Sequence, residues 1–235
     1  MRPTVIFDFD GTLALGDGPI EAYARGVAEF AGIPAITQAA KDALAAFGAG
    51  EGEAIDGYDA VRTAALALGA DEAALSAGYM ASREHLATRR APIQAPDGLH
   101  DFLTALAEHA DLVLVTNSPD IRIAEALEVL GASAIARRVC SARKPGGLVA
   151  VIDDALAHGP VMSVGDVYAN DLEPASARGA ATALVGSTWE AWADQVTLAA
   201  ATLPELYPSL EAWAATAAAA SQMPSGTGTP QERHQ

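Results

Sequence analysis

The fold is decided by residues 4–13, which read TVIFDFDGTL. The stretch begins as a short apolar run, typical of a buried strand, and ends in two carboxylates, a glycine and a hydroxyl. Side chains two positions apart in an extended segment point the same way, so Asp8 and Asp10 can converge on one spot. Gly11 allows a sharp turn and brings its backbone N–H close to that spot. Because paired carboxylates repel unless a cation neutralises them, the stretch predicts an oxygen-ligand cation site, and Mg²⁺ is the usual ion where a phosphate also binds.

Length and composition define the class of protein. With 235 residues, 51% of them hydrophobic, the chain can bury one sizeable core, with or without a smaller second unit. A net charge of −16 argues against a nucleic-acid backbone as partner. The N-terminus shows no signal-peptide pattern, and no apolar run approaches the ~20 residues that span a bilayer. We therefore expect a cytoplasmic monomer or homodimer that binds neither nucleic acid nor membranes.

The segment after the first strand differs in amino-acid composition from the rest of the chain. Residues 14–95 are rich in alanine and punctuated by glycine, with almost no β-branched runs. This pattern predicts helices near Ile20–Ala31, Gln38–Phe47, Tyr58–Leu68 and Glu72–Arg89. We interpret residues 14–95 as a small helical cap domain inserted into a core domain made of residues 1–13 and 96–215. The polar residues 224–235 are expected to form a disordered tail.

Beyond residue 95, apolar runs of strand length alternate with helical patterns. Asp97 is a candidate cap for a helix that begins near Leu99, and Ser118 with Pro119 is expected to open another helix that Gly131 closes. The remaining predicted elements are strands at Leu112–Val115, Arg137–Ser141, Val161–Val164 and Ala181–Val185, and helices at Leu148–Ala157 and Asp171–Arg178. Such alternation indicates an α/β fold, a Rossmann-like parallel sheet with helices on both faces.

Parallel sheets place ligands at the carboxyl ends of their strands, and chemically useful residues follow each predicted strand here. Asp8 and Asp10 follow the first strand, Thr116 and Asn117 the second, and Lys144 the third, before Pro145. Asp166 and Asp171 follow the fourth. Each residue has an ordinary structural explanation when taken alone, such as a turn, a cap or a solvated surface. Taken together, the order of these residues along successive strands predicts a cation site beside an oxyanion site. Metal-assisted phosphoryl transfer uses this combination of sites.

These residues resemble the four signature motifs of the haloacid dehalogenase-like hydrolase superfamily. The motifs in this chain are DFDGT at 8–12, VTN at 115–117, KP at 144–145 and GD followed by an aspartate at 165–171. The helical insertion resembles the family's cap between its first and second motifs. The first motif is strongly specific, and the other three gain weight from their order.

The resemblance implies a role for each residue. Asp8 would be the nucleophile that forms an aspartyl-phosphate, and Asp10 would be the acid and base for the leaving alcohol and the attacking water. Thr116 and Lys144 would hold the phosphoryl oxygens, with Gly11 and Asn117 beside them. Mg²⁺ would be held by the carboxylates of Asp8 and Asp166 and the backbone carbonyl of Asp10. Asp171 would orient Lys144 or a metal-bound water.

Asp10 also decides the reaction type that the resemblance implies. Dehalogenases of the family typically lack an aspartate two positions after the nucleophile, because a halide leaves without a proton. The chain is therefore predicted to be a Mg²⁺-dependent phosphatase acting on a small phosphorylated metabolite. Two alternatives stay open: a phosphomutase of the β-phosphoglucomutase type, and a non-catalytic protein that binds a phosphate ligand.

Substrate choice in the family is attributed largely to the cap, and this cap has few distinctive groups. Its cationic side chains are candidate contacts for an anionic substrate, although a solvated helix face is the better explanation for most of them: Arg62, Arg83, His85, Arg89 and Arg90. An acidic protein must also supply a local positive field for phosphate. Mg²⁺, Lys144 and a helix N-terminus at Ser118 are expected to provide it.

Overall fold

The computed structural model describes residues 1–222 and shows a parallel sheet of six strands in the order β3-β2-β1-β4-β5-β6. All five strand pairs are parallel. The strands are β1 (Thr4–Phe7), β2 (Asp111–Val115), β3 (Arg137–Val139), β4 (Val161–Gly165), β5 (Ala181–Leu184) and β6 (Leu198–Ala199). The predicted α/β class and parallel sheet are confirmed.

Side-chain alternation along the central strand gives the sheet two apolar faces. Val5 and Phe7 belong to one buried cluster, whereas Ile6, between them, belongs to another. Helices cover both clusters because the apolar side chains on each face must be removed from water. The helices are α1 (Gly18–Ala31), α2 (Ile36–Gly48), α3 (Gly57–Ala67), α4 (Glu72–Arg83), α5 (Leu99–His109), α6 (Ile123–Val129), α7 (Gly146–Leu156), α8 (Glu173–Ser176), α9 (Trp189–Trp192) and α10 (Leu203–Gln222).

The first four helices after β1, α1 to α4, pack around an apolar cluster of their own, which includes Tyr23, Val27, Val61 and Leu75. Helix α1 packs closely against α4 at Gly78. A Cβ atom on Gly78 would lie only 2.5 Å from the backbone nitrogen of Val27, so only glycine fits there. This segment is called the helical insertion below. Its status as a separate domain stays a prediction, as do the other domain boundaries.

Two predicted helix caps are wrong. Gly98, with φ of 72°, occupies the N-cap of α5, and Asp97 makes no cap hydrogen bond there. The helix expected at Ser118 begins at Ile123 instead, after Arg122 with φ of 57°. Ser118 is unavailable as a cap because its hydroxyl donates to Asp10. The helix N-terminus expected to help bind phosphate is therefore not at Ser118.

Other differences concern where elements end. Helix α4 ends at Arg83 rather than at Arg89, and a turn with φ of 60° at Ala87 follows it. The helix predicted at Asp171–Arg178 is a π-helical turn, Tyr168–Leu172, followed by the short α8. Strand β6 was not predicted. The expected tail at residues 224–235 lies outside the described residues, and no helix of residues 1–222 has the length and apolarity to cross a membrane.

Candidate active site

The strand register brings the predicted site residues to one edge of the sheet. Phe7 of β1 pairs with Leu114 of β2 and with Val164 of β4, so the residues that follow these three strands lie side by side. A cavity of about 450 Å³ opens there, between this edge and the helical insertion. All eight predicted site residues line it: Asp8, Asp10, Gly11, Thr116, Asn117, Lys144, Asp166 and Asp171.

Lys144 lies between two carboxylates at the bottom of this cavity. Its Nζ is 2.5 Å from Oδ1 of Asp8 and 2.6 Å from Oδ1 of Asp171. Burial raises the pKa of Asp8 to about 7, against the opposing effect of the Lys144 ammonium. Burial also lowers the pKa of Lys144, but the two carboxylates outweigh it and the net shift is upward. Lys144 therefore stays cationic, which binding of a phosphoryl oxygen would require.

Asp166 has the features of a cation ligand. Its Oδ1 is buried and has no hydrogen-bond partner, and burial followed by the charges of Asp8 and Asp171 raises its pKa well above the ordinary value. A Cβ atom on Gly11 would lie 2.2 Å from Oδ2 of Asp166, so only glycine leaves room for the carboxylate there. A buried carboxylate oxygen without a donor is costly unless a cation neutralises it.

One oxygen each of Asp8, Asp166 and Asp171 lies within 4.8 Å of the others, a grouping that could hold a metal ion. Asp171 is the least suitable of the three, because Lys144 Nζ and the backbone N–H of Val167 already occupy its two oxygens. Asp8 uses one oxygen for Lys144 and keeps the other. The donor set fits a hard divalent cation such as Mg²⁺, with Asp8 and Asp166 as its carboxylate ligands. The metal role of the Asp10 carbonyl stays a prediction.

The loop after β2 is hydrogen-bonded to the loop that contains Lys144. The side-chain oxygen of Asn117 accepts a hydrogen bond of 2.6 Å from the backbone N–H of Lys144. The buried hydroxyl oxygen of Thr116 accepts from the backbone N–H of Ser118 at 3.0 Å. Asn117 thus holds the backbone at Lys144, while the Thr116 hydroxyl keeps its proton for an oxygen in the cavity.

Asp10 lies in different surroundings from Asp8, and the groups around it were not predicted from the sequence. The hydroxyl of Ser118 donates to its Oδ2 at 2.8 Å. Arg83 Nη1 lies 3.2 Å from Oδ1 and 3.4 Å from Oδ2, and the Tyr58 hydroxyl lies 3.4 Å from Oδ1. Every one of these neighbours donates, so the site is built for an accepting carboxylate at Asp10.

Arg83 is completely buried, at 0% exposure, between two tyrosines of the helical insertion. Its guanidinium carbon lies 5.1 Å from the ring centre of Tyr58 and 5.0 Å from that of Tyr79, within the range of cation–π attraction. Its Nη2 donates to the Tyr58 hydroxyl, and the Tyr79 hydroxyl lies 3.2 Å from the Ser118 oxygen. The helical spacing in the sequence indicates part of this arrangement, because Arg83 lies four positions after Tyr79 and therefore on the same face of α4.

The other cationic candidates of the insertion do not reach the cavity. Arg62 pairs with Glu72 at the surface, 2.5 Å apart, and Arg90 contacts His85. Among residues 1–222, none of the five cationic candidates belongs to the cavity lining: Arg62, Arg83, His85, Arg89 and Arg90. Lys144 is the one cationic side chain that the lining contains within that range.

The family model of the haloacid dehalogenase-like hydrolases matches residues 5–170. This match spans most of the chain, and the protein therefore belongs to that family of hydrolases. No curated protein matches the sequence.

Solved structures share the fold at low sequence identity. A provisionally assigned β-phosphoglucomutase from Thermotoga maritima is 18% identical with a TM-score of 0.58, over 90% of this chain and 99% of that one. The provisionally assigned hydrolase YfnB from Bacillus subtilis, bound to magnesium, is 19% identical with a TM-score of 0.57, over 89% and 98%. A phosphatase of the family from Thermococcus onnurineus is 19% identical with a TM-score of 0.55, over 89% and 98%. Dehalogenases also share this fold, so the fold does not select the reaction.

Proposed function

We propose that this hydrolase is a Mg²⁺-dependent phosphatase that acts on a small phosphorylated metabolite. The observation that carries the proposal is the pair of carboxylates in separate surroundings. Asp8 lies beside Lys144 and the candidate cation ligand Asp166, whereas Asp10 lies 2.8 Å from the Ser118 hydroxyl and faces the same cavity. A nucleophile and a proton carrier with distinct neighbours are what ester hydrolysis needs. Carbon–halogen cleavage leaves a halide and has no use for the second carboxylate.

The proposed reaction has two steps. An oxygen of Asp8 attacks phosphorus, the ester P–O bond breaks, and Asp10 gives a proton to the leaving alkoxide. Water then attacks the phosphorus of the aspartyl-phosphate, Asp10 takes the proton from that water, and inorganic phosphate leaves as Asp8 is restored. Lys144 and the Thr116 hydroxyl bind the phosphoryl oxygens in both steps. Mg²⁺, when bound by Asp8 and Asp166, neutralises charge on those oxygens.

The donors around Asp10 suit the second step directly, because an accepting carboxylate takes the proton from water. In the first step Asp10 carries a proton, and one of its present donors must give way to the leaving oxygen. Arg83 and Ser118 act here as positioning residues, since they contact Asp10 rather than the reacting phosphorus.

The experiment is hydrolysis of p-nitrophenyl phosphate, measured with Mg²⁺ and with EDTA. We expect turnover with Mg²⁺, loss of turnover in EDTA, and loss in Asp8→Asn. The matched control is Asp153→Asn, because Asp153 is an exposed aspartate that pairs with Arg178 away from the cavity. Turnover that survives in Asp8→Asn contradicts the proposal, as does dehalogenation of 2-chloropropionate by a protein that releases no phosphate.

A further inference from the structure

The cavity has two chemically different ends. The end at the sheet carries Asp8, Thr116, Lys144 and Asp166, which the proposed function assigns to the phosphoryl group. The part of the lining that comes from residues 15–48 includes four apolar side chains: Leu15, Ile20, Leu44 and Phe47. We call these four residues the apolar wall. A phosphoryl group held at Asp8 and Lys144 would leave the rest of its ester in the space that this wall borders.

The apolar wall is built from separate parts of the chain and is held in place by packing. Leu15 precedes α1, Ile20 lies in α1, and Leu44 and Phe47 lie in α2. A Cβ atom on Gly57 would lie 2.7 Å from Ile20 and 3.1 Å from Leu44, so the backbone of α3 packs directly behind them. All four wall side chains are only half-buried, which leaves apolar surface facing the cavity. An apolar ligand group that covers this surface removes it from water and is bound more tightly for that reason.

The charges at the wall end are negative. Asp17 and Asp56 line the cavity, and Asp56 precedes Gly57, which contacts Ile20 and Leu44 of the wall. Asp56 also caps α3 by accepting a 2.7 Å hydrogen bond from the Asp59 backbone. Lys144, the cation of the lining, lies at the other end between Asp8 and Asp171. Arg83 lies behind the tyrosines and is paired with Asp10. A second anionic group on the substrate would meet carboxylates and apolar carbon, which is a repulsive arrangement.

We infer that the substrate is a phosphomonoester whose alcohol part is uncharged and largely apolar. The inference rests on the proposed function for the orientation of the ester, with the phosphoryl group at Lys144. It excludes substrates with a second phosphate or a carboxylate on the alcohol part. It also disfavours mutase chemistry that passes through a bisphosphate, because the second phosphate would lie against the apolar wall.

The test is a binding measurement that needs no turnover. Calorimetric titration of Asp8→Asn with Mg²⁺ present compares methyl phosphate, n-butyl phosphate, 4-phosphooxybutanoate and butane-1,4-diol bisphosphate. We expect n-butyl phosphate to bind roughly tenfold more tightly than methyl phosphate and than either of the two esters with an anionic tail. Equal or tighter binding of the carboxylate or bisphosphate ester overturns the inference, as does a butyl chain that adds no affinity.

Two variants locate the preference at the apolar wall. Leu44→Arg is expected to reverse the preference toward the carboxylate ester, and the control Leu66→Arg, at an exposed helical leucine outside the lining, is expected to leave it unchanged. Asp56→Asn, which keeps a capping side chain, is expected to weaken the discrimination without depending on an inserted cation. Unchanged preferences in both variants overturn the inference.

The outcomes separate this inference from the proposed function. If the wild-type protein releases phosphate from no ester while Asp8→Asn still prefers n-butyl phosphate, the phosphatase proposal fails and the ligand class stands. If the wild-type protein hydrolyses p-nitrophenyl phosphate with Mg²⁺ while the charged esters bind equally well, the ligand class fails and the phosphatase proposal stands.

Discussion

The guanidinium of Arg83, in the helical insertion, contacts the carboxylate of Asp10, in the turn after β1, with Nη1 3.2 Å from Oδ1. The arginine is completely buried, whereas the Asp10 side chain keeps 27% exposure toward the cavity. A buried charge is costly unless it is paired, so the pair ties the last turn of α4 to the edge of the sheet that lines the cavity. A change at Arg83 should therefore alter both stability and catalysis.

The first prediction concerns this ion pair. Arg83→Met removes the hydrogen bonds of the guanidinium to Asp10 and Tyr58, and we expect it to lower the free energy of unfolding by about 2 kcal/mol, because hydrogen bonds to charged groups are lost. The control Arg62→Met breaks an exposed pair with Glu72 and should cost less than about 1 kcal/mol. Urea unfolding measures both.

The same variants separate positioning from folding. At temperatures where both proteins stay folded, Arg83→Met should lower kcat for p-nitrophenyl phosphate, and Arg83→Lys should restore part of it by returning the charge. Equal unfolding free energies for Arg83→Met and Arg62→Met would contradict the structural role of the pair.

The second prediction concerns the space beside Asp166. Gly11→Ala places a Cβ atom where Oδ2 of Asp166 lies, 2.2 Å away, at a backbone φ of +83°. We expect the displaced carboxylate to raise the Mg²⁺ concentration needed for half-maximal activity by roughly tenfold or more, as loss of metal-site geometry does.

Gly16→Ala is the matched control for that change. Gly16 has a similar φ of +95°, but a Cβ atom there meets nothing within 4 Å. Both variants carry similar backbone strain, so the temperature of thermal unfolding should fall in both. The Mg²⁺ concentration needed for half-maximal activity should rise in Gly11→Ala alone. A matching shift of Mg²⁺ dependence in Gly16→Ala would show that strain rather than the contact is responsible.

The third prediction links pH, metal and stability. Burial raises the pKa of Asp8 in the folded protein to about 7, above its value of about 4 in an unfolded chain. Between these values the folded state holds a proton that the unfolded state has released, so the free energy of unfolding falls as pH rises. The metal-free protein should therefore melt at a lower temperature near pH 8 than near pH 5.5.

Asp8→Asn tests the assignment, because an amide does not titrate and the variant should show a flatter dependence of Tm on pH. Mg²⁺ should raise the wild-type Tm more near pH 8 than near pH 5.5, since the ion binds ionised carboxylates. Parallel curves for the wild type and Asp8→Asn, with Asp153→Asn as the surface control, would show that Asp8 is not the titrating group.

The sheet and the residues at its edge follow from local sequence patterns. Continuous apolar runs such as Leu112–Val115 identify buried parallel strands, and Asp8, Thr116 and Asp166 follow such runs directly. Strand β6 escaped prediction because two residues, Leu198–Ala199, are too short to form a pattern. Local caps also failed where tertiary contacts compete, as at Ser118, whose hydroxyl binds a carboxylate 108 residues away in sequence.

Arg83 shows why the surroundings of Asp10 could not be predicted in full. An arginine on a helix is ordinarily solvated, and its burial here depends on Asp10, 73 residues earlier, and on two tyrosines from different helices. The helical spacing from Tyr79 places Arg83 on the inner face of α4, but the identity of its partner is a tertiary property.

The most direct measurement is mass spectrometry of the protein quenched in acid during turnover of p-nitrophenyl phosphate. Asp10→Asn, which slows the attack of water, should accumulate the intermediate. We expect the peptide that carries Asp8 to gain the mass of one phosphoryl group, and no such gain in a protein with Asp8→Asn. Turnover with the Asp8 peptide unmodified, or with the phosphoryl group on another residue, would contradict the assignment of Asp8 as the nucleophile.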